Sequence, residues 1–143
     1  MGAKGSKKIP AYQREQGTRS AKEKKGRTIT FSLKEVLPHV EPGQTSKEWE
    51  EEGLLSLLYE RMRFVSQFSC QEALQNGCIK RYTKVGYPPN SEFKQPKHIN
   101  ADIWAVMHIT QNSKEVVAGY IEDDVFFIIF LDKEHRFWPM SAR

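Results

Sequence analysis

His135 and Arg136 stand side by side where an apolar run ends, in "VFFIIFLDKEHRFWP" (residues 125–139), with Lys133 just before them. A second basic set, Lys80, Arg81 and Lys84 around Tyr82, fills "CIKRYTKV" (78–85), and His108 lies in "DIWAVMHIT" (102–110). These residue types suit phosphodiester chemistry. A guanidinium holds phosphate oxygens two at a time and stabilises charge that builds in a transition state. An imidazole with a near-neutral pKa gives or takes a proton. On that reading His135, Arg136 and Arg81 carry the chemistry, while Lys80, Lys84 and Lys133 hold phosphate. Tyr82, Tyr87 and Trp138 could stack on unpaired bases.

A structural reading uses the same residues. Strand ends are commonly polar, so "DKEHR" also reads as a solvated turn. "RFWP" then becomes an aromatic plug, with Phe137 and Trp138 packed against helices. His108, between Met107 and Ile109, reads more readily as a hydrogen-bonded sheet residue than as a catalyst. No P-loop, G-x-S-x-G, G-x-G-x-x-G or H-E-x-x-H motif is present. Cys70 and Cys78 have no CxxC spacing or histidine cluster with them, so neither a metal nor a cofactor is expected.

The elements that must position these groups follow from periodicity. Ile29, Phe31 and Leu33 alternate with polar residues in "RTITFSL", the pattern of a half-buried strand. Ser32 with Glu35 predicts a short helical turn over "LKEVL", closed by Pro38. Thr45 with Glu48 opens a helix expected to run through "SKEWEEEGLLSLLYERMRFVSQF", and Gly53 is a weak point in it. Ser69 with Glu72 opens a third, "CQEALQN", stopped at Asn76-Gly77.

"CIKRYTKV" reads as a strand and "GYPPNSEFKQPKHIN", with three prolines, as a long loop that could fold over one sheet face. "DIWAVMHIT", "EVVAGYI" and "VFFIIFL" form a meander joined by "QNSK" and "EDD". The last, apolar on both faces, should lie inside the sheet and be covered on each side. The expected fold class is α+β: an antiparallel sheet, N-terminal strand plus C-terminal meander, packed on two or three helices.

The chain has 143 residues, 38% hydrophobic and 28% charged, consistent with one domain and an appended tail. Residues 1–27 hold nine Lys or Arg against two Glu, a charge of +7, so the other 116 carry −3 of the +4 total. That stretch is poor in large apolar residues and reads as a disordered basic arm. The domain spans 28–143, with its long loop at about 85–101. Lys22, Lys24, Lys25 and Arg27 are the arm's candidates for binding RNA or the ribosome by counterion release; the alternative is a solubilising tail. Gly2 and Ser6 fit a loose myristoylation pattern that chance readily produces. No apolar run approaches the roughly 18–20 residues that span a bilayer, and no secretory signal pattern opens the chain. A cytoplasmic protein without a membrane partner is expected.

The element order and the hairpin "VVAGYIEDDVFFIIFLDKEHR", ending in a His-Arg pair, resemble the small RelE/ParE-type toxins of bacterial toxin–antitoxin modules. The stretch is also similar to uncharacterised bacterial toxin-like proteins with an "ITFSL"-like first strand and an "FLD.EHRF.P"-like last one. The likeness covers 28–139 in element order and is specific over 116–139. RelE-type membership implies ribosome-dependent mRNA cleavage and an antitoxin partner; ParE-type membership implies action on gyrase. It nominates Lys80, Arg81, Lys84, His135 and Arg136 by strand position. The 27-residue arm and the loop at 86–100 depart from that family's compact form. A different class stays open: a non-enzymatic binding module that docks on a protein or nucleic-acid partner, as in phage defence or inhibition.

Overall fold

The computed structural model describes residues 27–82 and 86–139. Five strands, β1 (Thr30–Ser32), β2 (Ile79–Tyr82), β3 (Ile103–His108), β4 (Val116–Glu122) and β5 (Val125–Asp132), form one sheet in the order β1-β5-β4-β3-β2. The β2–β3, β3–β4 and β4–β5 pairs are antiparallel, and β1 joins β5 in parallel. The α+β class is as expected, with one parallel pair added to an otherwise antiparallel sheet.

Three short helices, α1 (Ser46–Glu51), α2 (Leu54–Val65) and α3 (Cys70–Gln75), cover one face. Thr45 and Ser69 close the capping boxes that their spacing predicts. The single helix expected over 46–68 is broken. Gly53 sits at φ 76°, a left-handed conformation that glycine takes without a Cβ penalty, so α1 and α2 meet at a bend. The helical turn expected at "LKEVL" is one hydrogen-bonded turn, Val36 N–H to Leu33 O, and not a helix. Beyond it the chain follows the outer edge of β5: Leu37 donates to Ile129 O and Gln44 to Leu131 O. A Cβ on Gly43 would come within 2.8 Å of Leu131 O, which this close passage forbids.

Alternation divides the sheet into two cores. Ile79, Ala105, Met107, Val117, Ile121, Phe126 and Ile128 face the helices. Trp104, Val106, Val116, Ala118, Ile129, Phe130 and Phe137 face the other side, which Phe93 and Ile99 of the proline-rich loop cover as anticipated. Phe137 and Trp138 pack on this loop side, against Trp104, Phe130 and Tyr82, rather than against the helices. The plug is real but its partners are loop and sheet.

A β-bulge separates the two halves of the β4–β5 pair. Ala118 stands opposite Phe130 and Gly119 opposite Ile128, leaving Ile129 as the extra residue. Ile129 and Phe130 therefore face the same side, and alternation after them returns Leu131 to the helices and Asp132 to the loop face. Gly119 permits this: a Cβ there would lie 1.8 Å from Phe127 O.

Candidate functional site

The register determines which polar groups meet. Lys80 pairs with Val106, a loop-face residue, so Lys80 projects to the loop face. His108 shares the parity of Trp104 and Val106, and its row runs through Val116 to Asp132. The end of β3, the start of β4 and the turn after β5 thus converge on one side of the sheet. There a cleft of about 640 Å3, lined by Lys80, His108, His135, Arg136 and Trp138 among others, opens beside the aromatic core. This is within the size range of small-molecule sites, about 300–1,000 Å3.

Asp132 builds the turn that carries His135. Its carboxylate is fully buried and accepts the backbone N–H groups of Arg136 at 2.9 Å and Phe137 at 2.7 Å. Burial pushes its pKa up, and the two N–H bonds act against that. Gln44 braces the same turn from the other side, its Oε1 accepting from Lys133 N at 2.8 Å and Trp49 Nε1 at 2.9 Å. Within the turn His135 sits at φ 61°, a left-handed conformation uncommon outside glycine that histidine adopts more readily than most residues. Its residue is 9% exposed, and its Nδ1 is buried without a hydrogen-bond partner among the described residues.

His108 is fixed from two sides. Arg61 of α2 donates to its carbonyl at 3.2 Å, and its ring Nδ1 lies 3.0 Å from Ser113 O. A carbonyl only accepts, so Nδ1 carries the proton and Nε2 of the neutral ring is the base. Burial holds the imidazole below its ordinary value of 6.5; the hydrogen bond to Ser113 O acts against that, and His135, Lys80 and Arg61 nearby act with it. The His108 and His135 ring centroids are 5.2 Å apart.

Two carboxylates trim the cations. Glu92 of the loop accepts from Arg136 Nε and Nη2, both at 2.7 Å, and its own N–H donates to Arg136 O. Lys114 contacts Glu134 at 2.8 Å, which lowers the Glu134 pKa. Lys80 is in no ion pair among the described residues.

Of the sequence candidates, His135, Arg136 and Lys80 come together, and Tyr82 stands edge-on to Trp138 at 4.6 Å. Arg81 does not join them. It pairs with Ala105 of the helix-side core and lines a second cleft, of about 770 Å3, with Cys70, Leu74 and Asp123; Lys80 borders both. Lys133 turns away to Glu52 at 2.6 Å, which raises its pKa. Arg27 is bound to Asp124 at 2.6 Å, on the β4–β5 turn. Lys22, Lys24, Lys25 and Lys84 lie outside the described residues. His108, read from sequence as a hydrogen-bonded sheet residue, is that and a cleft residue too. Even-numbered parity with Lys80's partner Val106 was its signal, but the meeting with His135 depends on the bulge. No group of His, Cys, Asp and Glu suited to a metal ion occurs among the described residues, and no described helix is long and apolar enough to cross a membrane.

What this defines is an α+β domain with a histidine-paired, cation-lined cleft on the loop-covered face of its sheet. No protein-family model, curated protein or solved structure matches the chain.

Proposed function

We infer that the protein is a toxin-like, RNA-directed endoribonuclease that works through His108 and His135. One observation supports this most: two imidazoles from separate strand ends, 5.2 Å apart, share a cleft with Lys80 and Arg136. In the step this arrangement suits, His108 Nε2 takes the proton of a ribose 2′-hydroxyl. The 2′-oxygen attacks the adjacent phosphorus, the P–O5′ bond breaks, and protonated His135 gives its proton to the departing 5′-oxygen. The products are a 2′,3′-cyclic phosphate and a 5′-hydroxyl end. Lys80 offsets charge on the non-bridging oxygens, and Glu92 orients the Arg136 fork beside them. Action at the ribosome and an antitoxin partner rest on the resemblance of residues 116–139.

Controlled expression in a bacterial host tests the reading, wild type beside a His135→Ala variant shown to be folded. Growth arrest with loss of intact RNA in the wild type alone is the expected result. Normal growth with intact transcripts would refute it.

A second reading, the non-enzymatic binding module, is favoured by apolar side chains left in solvent: Leu57, Tyr59 and Phe64 on α2, and Leu33 after β1. Leu57 and Phe64, seven residues apart, lie on one flank of the helix. On this reading partner capture survives His135→Ala and is lost on changing Leu57 and Phe64 to Ser; the reverse pattern would exclude it.

A further inference from the structure

The cleft's charge and size say more about its ligand than the catalytic reading needs. Among the described residues, Lys80, Lys114 and Arg136 line it against Glu92 and Glu134, leaving one net positive charge when both imidazoles are neutral. Asp132 stands behind the turn with each carboxylate oxygen bonded to backbone, and Arg61 approaches His108 from α2. One excess cation matches one phosphodiester monoanion, not a polyphosphate. Two imidazolium rings at 5.2 Å repel each other, Lys80 and Arg61 also disfavour a charge on His108, and the Asp132 carboxylate attracts one on His135. An anion placed between them reverses the balance. The His135 ring lines the cleft, and its buried Nδ1 has no hydrogen-bond partner among the described residues. Trp138, half-buried at the rim and braced by Tyr82, offers one aromatic face already oriented for a base.

We propose that the cleft binds one dinucleotide step, its phosphodiester between Lys80, His108 and His135 and one base on Trp138, and takes up a proton as it does so. The proposal deepens the nuclease reading by naming its ligand, yet binding and proton uptake require no turnover. A 2′-deoxy dinucleoside monophosphate is therefore the probe, since it lacks the attacking hydroxyl.

The experiment is calorimetric titration of the full chain with that probe at pH 7, in two buffers of different ionisation enthalpy, with inorganic phosphate as comparison. Expected are net proton uptake, Kd about tenfold weaker in Lys80→Ala, and a similar loss in Trp138→Leu for the dinucleotide but not for phosphate. In the wild type, NMR signals of both the His108 and the His135 ring should shift on binding. Absence of binding at millimolar probe, binding without proton uptake, or affinity indifferent to Lys80 would overturn the proposal. Binding with uptake but no RNA cleavage by the wild type would uphold it while removing the nuclease reading.

Discussion

At the scale of single residues, parity in a strand separates two adjacent cations that composition treats alike. Lys80 and Arg81 face opposite sides of the sheet, so Lys80→Ala should lower RNA cleavage by tenfold or more and Arg81→Ala should leave it within about twofold. Initial rates on a short RNA decide this, and equal losses in both would contradict the placement. His108 carries a pH signature as well. Its folded pKa lies below 6.5, so folding stability from its neutral form is complete above 6.5 and is lost as pH falls through the folded pKa. The same shift keeps the base unprotonated further into acid. Thermal unfolding from pH 7.5 to 5 should show a decline that His108→Gln reduces, and the acid limb of kcat/KM, which reports the free enzyme, should lie below pH 6.5. A limb above 6.5 would exclude His108 as the base.

At the scale of elements, the bulge and the Asp132 turn do the aiming. Gly119→Ala drives a Cβ into Phe127 O and should cost about 3 kcal/mol or more, with loss of the cleft's aromatic signals, because β4 and β5 must separate or shift register. Asp132→Ala strands two backbone N–H groups in the interior and should cost about 2–4 kcal/mol, read by denaturant unfolding. Near-wild-type stability in either would mean that the turn is held by something else. The strands were legible because Ile29, Phe31 and Leu33 alternate with polar residues and the last three apolar runs are separated by short polar turns, and the capping boxes at Thr45 and Ser69 gave two helix starts. The bend at Gly53 and the bulge at Gly119 were not legible. A glycine marks where a backbone can depart from regularity but does not say that it will. Since the face of Asp132, and with it the turn bearing His135, follows from the bulge, the meeting of His108 and His135 lay beyond the sequence pattern.

Across the whole molecule, the two sheet faces divide the work. The helices close one core around Trp49 and Phe126, while the loop carrying Phe93 and Ile99 closes the other and also supplies Glu92 to Arg136. The loop read from its prolines as a cover is thus also part of the site. The first measurement to make is cleavage of a short RNA by the purified full chain, with analysis of the product ends, beside His108→Ala and His135→Ala variants of verified fold. The predicted result is 2′,3′-cyclic phosphate ends, abolished by a 2′-deoxy substitution at the cut and reduced about 100-fold or more in each variant. Uncut RNA, or cleavage at wild-type rate in both variants, would contradict the assignment of this histidine pair as a nuclease site.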